Sequence, residues 1–251
     1  MGLYHWYSPD GRPHHNDDLR TARAKGHYGS VTTVLGAWGK AAQLQSWIDK
    51  KNCNLAVDLL MRGTPSDECA MRAIETSKQE LQQTADWGSE VHDRVEQFNL
   101  YGEVKEDGFT DYWKSWPDWF DEYVEDVIHA EQTFVDHEDK LAGTIDLVFR
   151  HKDFGISVLD YKNREFKPNK QKKGTPLECE FYLKDRQQLA YYSHMVKRDM
   201  GLDELPPIFS CGFNSKIPMP MHIKPWRPAR QQEWVEFVRT VNRAWRLEKN
   251  L

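Results

Sequence analysis

The stretch GTIDLVFRHKDFGISVLDYKN, residues 143–163, sets two carboxylates and a lysine in two apolar runs. Asp160 and Lys162 are one residue apart, so on a strand their side chains share a face. Asp146 sits near the middle of the preceding run and can reach the same end of a sheet. Two carboxylates of this kind can hold Mg²⁺ or Mn²⁺ (one or two ions) through hard oxygen ligands, with water and a phosphate oxygen completing the shell. The Lys162 ammonium could then orient the attacking water, help to deprotonate it, or stabilise charge on the phosphorane. Metal and lysine together lower the barrier to phosphodiester hydrolysis. An Asp-x-Lys pair alone says little, because charged strand ends are common; Asp146 strengthens the signal. Glu131, one strand earlier, could add a carboxylate. His92 could be a nitrogen ligand or a phosphate contact, although a lone histidine is more often an ordinary surface or core residue.

Positioning these groups requires a change of period along the chain. The first 28 residues look irregular, punctuated by Pro9, Gly11 and Pro13. Residues 30–63 read as helical, with Ser30 or Thr32 as cap and Leu35, Trp38, Leu44, Trp47 and Ile48 as buried contacts. A second helical region spans 66–84, with Ala70, Met71, Ile74 and Leu81. A third spans 86–98, where Val91, Val95 and Phe98 form a stripe at i, i+4 and i+7. The aromatic and acidic stretch FTDYWKSWPDWFDEY reads first as core packing or a docking surface for these helices, and otherwise as a base-stacking wall or a lid. From residue 127 the period becomes that of strands: VIHAEQTFVDHE, LAGTIDLVFRH and GISVLDYKN are expected as antiparallel neighbours. A basic loop, a helix over LKDRQQLAYYSHMVKRDMG, a strand within PPIFSCGFN and a final helix over 228–248 complete the reading. Trp234, Val238, Val241 and Trp245 line one side of that last helix.

In order, His92 within WGSEVH, Glu131, Asp146 within GTIDLV, Asp160-Tyr161-Lys162 and then QLAYY resemble the RecB-like branch of the PD-(D/E)xK nuclease superfamily. Phage exonucleases and the mitochondrial genome maintenance exonuclease are the nearest members in pattern, and SVTTVL resembles their N-terminal region. The resemblance covers residues 28–195. It implies an α/β fold with a restriction-endonuclease-like core, a central mixed β-sheet flanked by helices, and a helical N-terminal region. With no internal repeat or low-complexity tract, one nuclease domain is expected over 1–251, with a helical part at 28–98, a catalytic core at 127–195 and a C-terminal strand and helix at 196–251. Carried across, it makes His92, Asp146 and Asp160 metal ligands, adds the backbone carbonyl of Tyr161, and makes Lys162 the catalytic lysine. Glu131 is an acidic site residue. Gln188 and Tyr192, one turn apart on a helix, would position DNA or brace the lysine, with Gln187 and Tyr191 as a competing pair. The implied activity is a Mg²⁺- or Mn²⁺-dependent DNA exonuclease favouring single-stranded or frayed ends. It would act in replication, recombination or genome processing, with a phage origin implied, and leave a 5′-phosphate and a 3′-hydroxyl. A nicking or structure-specific endonuclease and an inactive DNA-binding module stay open as alternatives, as does RNA as substrate.

Charge is uneven: residues 150–251 carry 20 Lys or Arg against 12 Asp or Glu, within a chain of formal charge −5. Arg164, Lys167, Lys170, Lys172 and Lys173 follow the lysine strand and could neutralise DNA phosphates without reading bases. No Walker-type phosphate loop is present, so any ATP-driven motor would be a partner, as would other replication or recombination proteins. Some relatives carry an iron–sulfur cluster with three cysteines after the glutamine–tyrosine helix. Only Cys211 follows it here, which argues against a cluster. No segment has the length and apolarity of a membrane span or signal peptide, and a cytoplasmic location is expected. Oligomeric state is not legible.

Overall fold

The computed structural model describes residues 5–38, 41–103, 106–168 and 176–251, and leaves aside the side chains of 41–45, 47, 48, 81, 84 and 85 within helices. The expected contacts of Leu44, Trp47 and Ile48, the side chain of Leu81, and the basic residues Lys170, Lys172 and Lys173, lie outside the described residues.

The N-terminal segment is more ordered than its punctuation suggests. β1 (Trp6–Tyr7) pairs antiparallel with β2 (Tyr28–Ser30), and α1 (Leu19–Lys25) lies between them. Asp18 caps α1 by accepting from the Thr21 amide at 2.7 Å, and Gly26, at φ 67°, ends it. At seven residues α1 is too short to show a helical period. Ser30 caps α2 (Val31–Ala37), accepting from the Thr33 amide at 2.9 Å. α3 (Ala41–Met61) follows as a separate helix, so the single helical run expected over 30–63 is broken, and Trp38 at the break is 59% exposed rather than buried.

α4 (Ser66–Tyr101) is one helix of 36 residues where two were expected. Its first part packs against α3 and leaves Met71 and Ile74 exposed. Its last part buries Val91, Val95 and Phe98 as the stripe requires. α5 (Thr110–Trp113) and α6 (Trp116–Tyr123) form the aromatic stretch, and Trp113 and Trp116 are fully buried beside Phe98. Core packing therefore accounts for both residues.

The sheet is mixed. β3 (Val124–Asp136), β4 (Leu141–His151) and β5 (Gly155–Arg164) form the expected antiparallel meander. A small hairpin of β6 (Lys167–Pro168) and β7 (Leu177–Glu178) precedes α7 (Leu183–Asp199). β8 (Ile208–Asn214) pairs parallel with β5, β9 (His222–Pro225) pairs antiparallel with β8, and α8 (Gln231–Lys249) closes the chain. The order is β1-β2-β4-β5-β8-β9, with β3 on the other edge of β4. Helices cover both faces. Trp6, Val34, Leu189, Val196, Val238 and Trp245 join α2, α7 and α8 to one face, while Val95, Phe98 and Trp116 join α4 and α6 to the other. Among the described residues no helix is long and apolar enough to cross a membrane.

Candidate active site

The site begins where β4 changes partner. Its start, Leu141–Ala142, pairs parallel with β2, whereas Leu147–His151 pairs antiparallel with β5. Asp146 lies in the fork between the two. The β4–β5 ladder stops at Leu147 and Leu159, and beyond it the Tyr161 N–H donates to Asp146 Oδ2 at 2.5 Å. A backbone donor released by the fork is thus satisfied by the carboxylate beside it. Facing also changes here: Leu141 and Ile145 join one core, Leu147 and Phe149 the other.

On the opposite edge the register brings Glu131 across from Asp146, between the pairs Ala130–Leu147 and Gln132–Ile145. Glu131 adopts φ 49°, a left-handed backbone that costs a non-glycine residue about 1 kcal/mol or more. Regular pairing on both sides holds it there, and the result turns its carboxylate towards Asp146.

His92 comes from α4. Gly88, one turn earlier, lets the helix approach β5: a Cβ there would stand 3.1 Å from Asn163 Nδ2, which donates to the Gly88 carbonyl at 3.0 Å. Further along, Asn99 donates to the Tyr161 hydroxyl at 2.9 Å and accepts from Trp116 Nε1 at 2.8 Å. These contacts fix the rotation of α4, and the His92 ring stands edge-on to Tyr161 at 5.4 Å. His92 Nδ1 is 4.0 Å from Glu131 Oε1, and one ligand atom each from His92, Glu131 and Asp146 lie within 4.8 Å of one another. That set could hold a metal ion. An open cleft of about 460 Å³ lies over it, lined by Gly88, Ser89, Asp93, Glu96 and Asn163 with His92 and Glu131.

Asp160 and Lys162 occupy the α7 side of the same fork. The Lys162 ammonium contacts Asp160 Oδ2, and Gln188 Nε2 donates to Asp160 Oδ1 at 3.0 Å. The two glutamine–tyrosine pairs differ in their contacts. Gln188 meets Asp160, and Tyr192 lies under Gly143, while the Tyr191 hydroxyl donates to Asp136 and Asp139 at the far end of β3. The structure therefore groups His92, Glu131 and Asp146, with Asp160 bound to Lys162 and Gln188 alongside. The Tyr161 backbone takes part through its N–H.

Electrostatics agree with a site short of positive charge. Burial pushes the Glu131 carboxyl up to about 8, helped by Asp146. Burial raises Asp146 and Asp160 to about 6 each, even though Lys162 pulls both down. For Lys162, burial opposes the charge, but Asp160 and Asp146 outweigh it and the ammonium is held above its ordinary value. Burial, then Lys162, lowers His92 and leaves a neutral imidazole able to donate its lone pair. Three crowded carboxyl groups, one ammonium and one neutral imidazole suit a hard divalent cation.

Arg164 is not a free phosphate-binding group. Its guanidinium forms a two-pronged pair with buried Asp185, at 2.7 and 2.9 Å, and lies 4.3 Å from the Tyr182 ring. Asp185 also caps α7, accepting from the Tyr182 amide, so this arginine anchors the helix that carries Gln188. Lys167 is exposed in β6. The sequence reading missed Asn99, Asn163 and Asp185; Asn163 and Asp185 stand among charged neighbours that give no sign of these contacts. The four cysteines are free.

No protein-family model matches the chain, and no curated protein does. Among solved structures it is similar to the crystal structure of a "Putative exonuclease" from Eubacterium rectale, at 14% identity, covering 79% of this chain and 68% of that one, with a TM-score of 0.38. A likeness of that size fixes neither fold nor activity.

Proposed function

We propose that this chain is a metal-dependent deoxyribonuclease of the RecB-like PD-(D/E)xK type, built as one domain on a restriction-endonuclease-like core and degrading DNA from its ends. The observation that carries this reading is the β4 fork, where Asp146, Glu131 and His92 converge beside the Asp160–Lys162–Gln188 chain. His92, Glu131 and Asp146, with Asp160 as the further ligand that the resemblance implies, would hold Mg²⁺ or Mn²⁺, which would supply Lewis-acid polarisation of a phosphoryl oxygen.

The protein's own groups do the rest. Lys162, kept charged by its carboxylate neighbours, stabilises negative charge developing on the phosphoryl group and orients the attacking water. Gln188 fixes Asp160, and Tyr192 seats Gln188's helix on the sheet. Lys167 and the basic segment beyond it contribute phosphate contacts that are insensitive to sequence. The preference for ends, and association with replication or recombination proteins, rest on the sequence resemblance.

The test is a time course on end-labelled linear DNA, single- and double-stranded, beside closed circular single strands, in Mg²⁺ or Mn²⁺ at low salt. Linear DNA is expected to be lost and circles spared, with EDTA abolishing cleavage. Lys162→Ala is expected to lower the rate by about 10²–10³-fold. Cut circles would instead establish an endonuclease, and DNA binding without turnover in either metal would overturn the assignment.

A further inference from the structure

A second group of metal-ligating side chains lies in the N-terminal segment and includes no residue of the fork. Asp17 precedes the cap of α1, and His27 follows Gly26, which ends it, so this short helix closes a loop that brings the two residues together. His27 Nδ1 lies 3.3 Å from Asp17 Oδ2, and His14 Nδ1 lies 4.0 Å from the same oxygen. The His14 and His27 rings stack at 4.3 Å with 21° between their planes. One ligand atom from each of the three residues falls within 4.8 Å of the others.

The backbone holds these positions. The His14 amide donates to Trp6, the Asp17 amide to His14 and the His27 amide to Ala22, at 2.8, 3.2 and 2.9 Å. His27 is only 5% exposed, yet its Nδ1 has no hydrogen-bond partner among the described residues. A buried imidazole nitrogen aimed at a carboxylate without a hydrogen bond is costly unless something else satisfies it.

We infer that His14, Asp17 and His27 form a zinc site that clamps α1 and the start of β2 to the N-terminal strand. Zinc–ligand bonds of about 2.0–2.1 Å put tetrahedral ligand atoms about 3.3–3.4 Å apart. The Asp17–His27 separation already meets that spacing, and half-exposed His14 closes its own by a small ring movement. Two imidazoles and one carboxylate suit zinc better than magnesium, which separates this site from the carboxylate-rich fork. Lys25, 3.2 Å from Asp17 Oδ2 and half exposed, is the competing cation and can withdraw into solvent. Water completes the shell. The clamp acts on the sheet through β2, which pairs with β4 at Leu141–Ala142, upstream of Asp146.

The experiment uses the full chain without a histidine tag, stripped with chelator, in a His92→Ala background so that the fork does not contribute a histidine ligand. Zinc is added, excess is removed, and bound metal and thermal unfolding are measured. The background protein is expected to retain one zinc per chain and to unfold at higher temperature with it, in the presence of millimolar Mg²⁺. Adding His14→Ala should abolish both effects while leaving the metal-free unfolding temperature unchanged. If the metal-free protein is itself perturbed, Asp17→Asn reads the same loss. Equal zinc retention with and without these changes, or retention in neither protein, overturns the assignment. So does loss on His15→Ala alone, which would place the ion on the neighbouring His5–His15 pair, whose Nδ1 atoms lie 3.1 Å apart.

Discussion

At the residue scale, the fork gathers carboxyl groups that the metal-free protein cannot easily ionise. Glu131 is raised to about 8, and Asp146 and Asp160 to about 6, in each case chiefly by burial. A carboxyl group whose folded value lies above its unfolded one stabilises the fold most below the unfolded value of about 4, and that contribution is lost as pH rises through the folded value. Metal-free protein should therefore lose stability as pH climbs through about 6 and then about 8. A divalent cation replaces the protons and reverses the trend. Thermal unfolding in chelator is expected to fall steadily from about pH 5 to pH 9, and Mg²⁺ should raise it more at the alkaline end. A flat profile in chelator, with the same Mg²⁺ effect at both ends, would show that these carboxyl groups are not held protonated. Asp160 and Lys162 were legible as a pair because strand alternation puts them on one face. The left-handed Glu131 was not, since a glutamate in a strand carries no sign of its backbone angle.

At the scale of elements, close approach does what residue type alone does not announce. A Cβ at Gly143 would stand 2.6 Å from Tyr192 Cε1 and 2.9 Å from its hydroxyl, so α7 can lie this near β4 only over a glycine. Gly143→Ala should destabilise the protein by about 1–3 kcal/mol and slow cleavage, because displacing Tyr192 also moves Gln188 from Asp160. Denaturant unfolding of Gly143→Ala in wild-type and Tyr192→Leu backgrounds checks this. The cost should shrink in the second, and an equal cost in both would rule out the clash as its cause. The meander, α7 and α8 were readable from their periods. The fork was not, because period 2 cannot say where β4 exchanges β2 for β5. The 36-residue α4 was read as two helices, over 66–84 and 86–98, because its buried stripe is clear only over Val91, Val95 and Phe98, while its first part leaves Met71 and Ile74 exposed. α1 carried its caps, Asp18 and Gly26, but too few turns between them for a pattern.

At the scale of the whole molecule, two clusters of acids and histidines have opposite characters, and the difference is how far cations offset the carboxylates: the fork has the single Lys162 ammonium against Glu131, Asp146 and Asp160. Asp136, Asp139 and His194 have ligand atoms as close together as those of the fork. There, however, Arg198 donates to Asp136 at 3.1 Å and Arg239 to Asp139 at 2.8 Å, and the Tyr191 hydroxyl bonds both carboxylates. This network joins β3 to α7 and α8 and is structural. Burial pushes Asp136 up, but the His194 ring 3.6 Å away, the Asp139 amide, Arg198 and Tyr191 outweigh it and hold the carboxyl far below its usual range. The sign is the reverse of that in the fork. A carboxyl group with a depressed value stabilises the fold above its unfolded value of about 4, and that contribution is lost as pH falls below it. In saturating Mg²⁺, which removes the alkaline loss, the wild-type unfolding temperature should drop steeply below about pH 4. Asp136→Asn keeps the shape but not the charge, and should cost about 1.5–3 kcal/mol at neutral pH while flattening the acid limb. Cleavage at neutral pH should persist, because Asp136 touches none of the groups around Asp146. An acid limb as steep in Asp136→Asn as in wild type would assign acid unfolding to other carboxylates, and would leave this network as packing rather than charge.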